Sequence, residues 1–140
     1  MERYLRCMQA PEHVIQAQAT AEQQQQILNV IVLQEEEVVI HKSTPTNLST
    51  ETFRFGLEKV SNTGTDGGQK RTLVSRMHPQ NEMRLMTNCS VVSSRLNLFV
   101  RDVREVIGNN GMAHRQVITA HNITTGASST TVREWVRLRE

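Results

Sequence analysis

The residues of this chain best equipped for chemistry are its cations: 16 Lys and Arg among 140 residues, 13 of them Arg, whose planar fork suits phosphate and bidentate hydrogen bonding. Arg54, Lys70, Thr72, Arg95 and Asn97 lie on segments that read as adjacent strands, and with strict alternation they project from one polar face. Such a face binds single-stranded or looped RNA, with cations on phosphate and amides on base edges. A solvated sheet face carries the same residue types, and both readings stand. Other chemistries find little support. The five His, at positions 13, 41, 78, 114 and 121, have no i, i+4 pair and no Cys or carboxylate at ligand spacing, and Cys7 and Cys89 form no CxxC, so neither a metal site nor a redox pair is indicated. The glycine-rich stretch Gly64 to Gly68 lacks the Gly-Lys-Ser/Thr ending of a phosphate loop and reads as a hairpin turn. No Ser, Cys or paired carboxylate has an activating neighbour, so no catalytic residue and no cofactor is assigned.

Strands must position the polar face. Phe53, Phe55 and Leu57 alternate with Arg54, Gly56 and Glu58, the period of a half-buried strand. Ser61 to Gly68 is rich in residues that tolerate positive φ and predicts a turn, after which Gln69 to Met77 is the return strand. A third run, Val91 to Val103, sets Leu96, Leu98 and Val100 against Arg95, Asn97, Phe99 and Arg101. The three form an antiparallel sheet with one apolar and one Arg-bearing face. Upstream, Ile27 to Leu33 holds six apolar residues in seven, four of them β-branched, and predicts a buried strand. Gln34 to Glu37 turns it into Val38 to Lys42, and Ser43 to Thr52 has the composition of a loop. His78-Pro-Gln-Asn81 breaks the sheet before Met83 to Thr87 leads into the third strand.

The two ends read differently. Pro11 to Gln26 contains helix-compatible residues with Val14, Ala17 and Ala21 on one stripe, so residues 1–26 read as an N-terminal extension in which Pro11 to Gln26 can form a short helix and Gln23 to Gln26 can equally be a frayed lead-in. Near the C-terminus, Asn110-Gly111 is a strong hairpin signal, yet Ala113, Val117 and Ala120 sit at i, i+4 and i+7 and Asn110 can cap a helix. The helix is the preferred reading. After a break at Gly126, Val132, Trp135, Val136 and Leu138 form a second helical stripe. Residues 27–140 then make one domain, with strands over about 27–107 and helices over about 111–140, in line with domain-size expectations.

Net charge is +2, but residues 1–68 sum to −4 and residues 69–140 to +6, so the second half is basic. With one Trp, one Tyr and three Phe, the core must come from Val, Ile, Leu and Met or be completed by another subunit. No segment reaches the roughly 18 apolar residues of a membrane span, and Met1 to Ala10 lacks a signal-peptide core; a soluble, non-secreted protein without a membrane partner is expected.

The stretches Val38 to Asn47, Thr52 to Asn62, Lys70 to Pro79 and, most tightly, Arg95-Leu-Asn-Leu-Phe-Val100 resemble the coat proteins of levivirus-type single-stranded RNA bacteriophages over about residues 27–140. The resemblance implies an α+β fold: an antiparallel β-sheet with an N-terminal hairpin, covered on one face by two C-terminal helices and completed by dimerisation. It further implies a capsid protein of the virion, made in the host bacterial cytoplasm, that assembles from homodimers into an icosahedral shell. An RNA hairpin would bind the inner face through Arg54, Lys70, Thr72, Arg95 and Asn97. Two features depart from the family: residues 1–26 have no counterpart, and Arg95 stands where a base-stacking aromatic is common. The alternative is a small intracellular β-rich module for nucleic acid or protein interaction that forms no shell. An enzyme whose site leaves no trace in the sequence is the third reading.

Overall fold

A computed structural model describes residues 1–24, 27–45, 47–63, 67–78, 81–107 and 113–136. Among them, two helices, α1 (Glu2–Cys7) and α2 (Glu12–Gln23), precede nine strands: β1 (Leu28–Leu33), β2 (Glu37–Thr44), β3 (Asn47–Arg54), β4 (Lys59–Asn62), β5 (Gln69–His78), β6 (Asn81–Val92), β7 (Asn97–Ile107), β8 (Ala113–Asn122) and β9 (Ser128–Val136). The strands form an antiparallel up-and-down meander. It is split into a three-stranded sheet, β1-β2-β3, and a six-stranded sheet running in chain order from β4 to β9.

Period-two patterning decides what each strand turns inward. Leu33 pairs with Val38 and Ile31 with Ile40 across β1 and β2, and Val38 pairs with Phe53 of β3. From the larger sheet, Val74 of β5 and Leu85 of β6 meet them, and Val38, Ile40, Phe53, Val74 and Leu85 form one buried apolar cluster flanked by Ile31, Leu33 and Phe55. The two sheets therefore share an interior. Their junction is made by Gly56, whose φ of +73° turns the chain after β3 and lets its N–H donate to the Val74 carbonyl at 2.9 Å.

Short polar turns set the remaining registers. Ser93 Oγ accepts from the N–H groups of Arg95 and Leu96 at 3.3 and 3.1 Å, closing the β6–β7 turn. Between β8 and β9, Asn122 Oδ1 accepts from Thr125 N–H at 3.2 Å and Gly126 sits at φ +77°. Asn122 is fully buried, and its Nδ2 donates to the Cys7 carbonyl at 3.0 Å, fastening the end of α1 to this turn. The helix lies on β8 and β9, with α2 folded back against it.

The fold corrects several expectations. The C-terminal helices over about 111–140 are strands β8 and β9 as far as Val136, and the helices stand at the other end of the chain. Ala113, Val117 and Ala120 fit a helical period, but Gln116, Ile118, Ala120 and Asn122 are buried while Arg115, Thr119 and His121 are exposed, a period of two. The β-branched run in Ser128 to Val136 favours a strand for the same reason. The α+β class with helices covering one sheet face is thus replaced by a mostly β fold. The loop expected over Ser43 to Thr52 is largely β3, and β7 begins only at Asn97, after a turn that the expected third strand ran through. The Gly108–Gly111 turn and Pro79 lie outside the described residues. Within residues 1–24 lie two helices, α1 docked on β8 and β9 and α2 folded against α1.

Candidate functional site

Not all inward positions are apolar. On β7 the alternation that turns Leu98 and Val100 inward continues to Asp102 and Arg104, and Arg104 is only 7% exposed. Asp102 and Arg104 pair in register with Ile118 and Gln116 of β8, and Gln116 in turn with Arg133 of β9. Three neighbouring strands therefore bring Asp102, Arg104, His114, Gln116, Arg133 and Trp135 to one inward patch.

A chain of contacts holds this patch. Gln116 Nε2 donates to Asp102 Oδ2 at 2.7 Å, and its Oε1 accepts from Trp135 Nε1 at 3.0 Å. The Trp135 ring stacks on His114 with centroids 5.9 Å apart and planes 16° apart. Arg133 lies over the indole ring at 4.5 Å and pairs with Glu22 of α2 at 3.2 Å. Arg104 stands at the centre. Its Nη2 donates to Asn29 Oδ1 of β1 at 3.3 Å, spanning the two sheets, and its Nη1 faces His114 Nε2 at 3.5 Å. The nearest carboxylate oxygen, Asp102 Oδ1, is 3.7 Å from Arg104 Nε, too far for a hydrogen bond.

Electrostatics mark the patch as cationic and partly dry. Burial, opposed by Asp102, pushes the Arg104 guanidinium below its ordinary value, and burial does the same to Arg133. Both stay charged, because arginine starts so high. Lys42 of β2 is lowered by burial and by Arg104, although its side chain keeps substantial exposure; surrounded yet wet, it marks where the interior opens to water. Burial and the Arg104 charge also hold His114 below the usual histidine range. Tyr4 of α1 is raised by burial and then by the nearby Cys89, Asp102 and Cys7. Among the described residues no cluster of His, Cys, Asp and Glu is arranged to hold a metal ion, and no helix is long and apolar enough to cross a membrane.

The residues expected to meet RNA do not share a face. Lys70 and Thr72 alternate with exposed Gln69 and Arg71, so both turn inward; Thr72 is buried and donates to Cys89 Sγ at 3.8 Å. Arg54 points outward from β3 and is paired with Glu36 at 3.0 Å, on the rim of an open depression formed by the acidic turn Gln34 to Glu37. Arg95 sits in the β6–β7 turn, and Asn97 is held by its backbone, its N–H donating to Thr124 Oγ1 at 2.8 Å. Sequence reasoning gave no site role to Arg104, Asp102, His114, Gln116, Arg133 or Trp135. The available signal was the extension of the Leu98, Val100 alternation by two steps, which puts an acid and a base on the apolar face.

No family model matches the sequence, and no curated protein matches it. Among solved structures, the chain is similar to a Schistosoma mansoni fatty acid binding protein in complex with arachidonic acid, with a TM-score of 0.53 and 20% identity over 86% of this chain and 78% of that one. At that identity the likeness is one of fold. It overturns the resemblance to a phage coat protein, because the match spans 86% of this chain and its strands run on to Val136 where the coat resemblance implied two covering helices. The dimer-built icosahedral shell, the genomic RNA partner and the place in a virion, which followed from the coat resemblance alone, fall with it. The chain is a small β-rich module with the fold of a fatty acid binding protein.

Proposed function

We propose that this protein binds an amphipathic acid in its interior, with the acid group on Arg104 and the apolar tail along the inward aliphatic rows, and that it carries this ligand without chemical change. The observation that carries the reading is the incomplete neutralisation of a buried arginine. The terminal nitrogens of Arg104 meet His114 and Asn29, and its one nearby carboxylate, Asp102, shares its charge with Gln116 through one oxygen and stands off at 3.7 Å with the other. A buried charge in that condition costs stability, and an arriving anion offsets the cost. Arg133, Lys42 and Lys70 add further positive charge, against Asp102, Glu51 and Glu22. The guanidinium fork also suits a two-oxygen headgroup. Inward Ile31, Ile40, Leu98 and Ile118 supply apolar wall on both sheets. The solved structure of similar fold holds arachidonic acid, a molecule of this chemical class.

Displacement of a fluorescent probe such as anilinonaphthalene sulfonate by oleate and by oleyl alcohol tests the reading. Wild type is expected to prefer oleate, and Arg104→Leu to lose about ten- to hundredfold in oleate affinity, the worth of charge-assisted hydrogen bonds, while oleyl alcohol changes little. A folded Arg104→Leu protein that binds oleate as tightly as wild type would overturn it.

A further inference from the structure

We propose that anion binding at Arg104 is proton-coupled through His114, so that the site takes up an anionic headgroup together with a proton. The inference rests on the anion-binding reading above and adds to it a direction of regulation. In the present arrangement Arg104 Nη1 points its N–H at His114 Nε2 across 3.5 Å, so that nitrogen serves as acceptor and the ring is neutral. The ring has little freedom to turn away, because Trp135 stacks on it and is itself fixed by Gln116. The carboxylate nearest to Arg104, Asp102, has one oxygen taken by Gln116 at 2.7 Å and the other turned toward Arg104 at 3.7 Å, so its support for an imidazolium is outweighed by burial and by the Arg104 charge.

An anion seated on Arg104 reverses these conditions. It draws the guanidinium N–H groups to its own oxygens and presents negative charge to Nε2, which then becomes a donor once protonated. In the free protein burial and the Arg104 charge keep His114 below the ordinary range; in the complex the anion raises it. Between those two values binding takes up a proton. Affinity therefore rises as pH falls through the complex's value, and it levels off below that of the free protein.

Other charged groups face the same patch: Asp102 and Arg104 from β7, Arg133 from β9 with Glu22 of α2 behind it, Lys42 from β2 with Glu51 of β3 and Lys70 of β5 near it, and Tyr4 from α1. Of these, protonation of Asp102, by releasing Arg104, or of Glu22, by releasing Arg133, would also tighten anion binding at acidic pH. Variants separate the three, and Glu22→Gln, like Asp102→Asn, should keep the slope.

The probe is dodecanesulfonate, which stays anionic throughout, titrated by calorimetry from pH 8 to pH 5.5. Wild type is expected to gain about tenfold in affinity over this range, since a single coupled proton changes binding by at most tenfold per pH unit. His114→Gln should bind at every pH with about the weak affinity that wild type shows at pH 8, and Asp102→Asn should keep the slope. In wild type, the His114 ring resonances in NMR should titrate at higher pH with sulfonate bound than without it. A wild-type affinity independent of pH overturns the coupling and leaves the anion site standing. A slope that survives in His114→Gln, or ring resonances that ignore the ligand, also overturns it. Absence of sulfonate binding at any pH removes both readings.

Discussion

Leu85 and Arg104 are direct partners across β6 and β7, both inward and both nearly closed to water at 4% and 7% exposure, yet they belong to opposite kinds of interior. Leu85 closes a cluster with Val38, Ile40, Phe53 and Val74 that contains no polar side chain. Arg104 opens a patch in which each polar side chain touches another and the positive charge stays in excess. Identical backbone geometry thus hosts a region whose energetics favour folding and one whose energetics oppose it. Burying aliphatic area contributes about 25 cal/mol per Å², whereas a buried cation without a full partner costs several kcal/mol. A β fold can carry the second region only because the first, one residue away, is fully apolar.

The comparison breaks most visibly at the apolar end. Leu85→Ala removes side-chain volume from the closed cluster and is expected to destabilise the protein by about 2–5 kcal/mol in urea unfolding, since such cavities collapse incompletely. The paired change Arg104→Leu with Asp102→Asn should cost far less or nothing, because a buried ion pair removed whole is often replaced at no loss, whereas Arg104→Leu alone strands the Asp102 charge. If the paired change unfolds the protein as Leu85→Ala does, the guanidinium is a structural bridge from β7 to Asn29 of β1 and not a ligand group.

Between these lies Asn122. It is buried completely, and it joins the Cys7 carbonyl of α1 to the β8–β9 turn through Nδ2 and Oδ1. Asn122→Ala leaves the Cys7 carbonyl and the Thr125 N–H without these partners, and a loss of about 1–3 kcal/mol is expected. Hydrogen exchange should locate the change in α1 and the turn rather than in the apolar cluster, which neither group touches.

How much of this was legible follows from which periods compete. Leu98 and Val100 read as an inward pair because residues 97 to 101 fit a strand and nothing else, and Leu98 is indeed only 3% exposed. The hairpin from Leu28 through the acidic turn to Val38 and Ile40 was equally plain, since a short β-branched run cannot make a stable isolated helix. Yet β1 is not the buried strand expected: Leu28, Val30 and Val32 face outward and are exposed. Beyond Gly111 the sequence satisfies two periods at once, and local preference alone cannot choose; pairing of β8 with β7 over ten residue pairs decides it. The polar patch was hidden for a related reason. Asp102 and Arg104 drew no reading because their partners, Gln116 and His114, are 14 and 10 positions away and Asn29 is 75 away. Only the sheet register brings them together.

The smallest expected effect sharpens the contrast further, because it separates stability from binding in sign. Glu22 of α2 pairs with Arg133 of β9 at 3.2 Å, with side chains 29% and 18% exposed, so the bond is partly screened by water and holds the helix pair over the patch only weakly. Glu22→Gln is expected to cost less than about 1 kcal/mol in unfolding, as partly exposed ion pairs do. The same change removes the carboxylate that competes for Arg133, and the guanidinium remains in place over Trp135 at 4.5 Å. Oleate should then bind slightly more tightly, by about two- to fivefold, for a gain of under 1 kcal/mol. Calorimetric titration checks the binding, and thermal melting checks the stability. Weaker oleate binding in Glu22→Gln would mean that the helix pair must be tied down for the interior to hold its ligand, and Glu22 would then belong to the binding site itself.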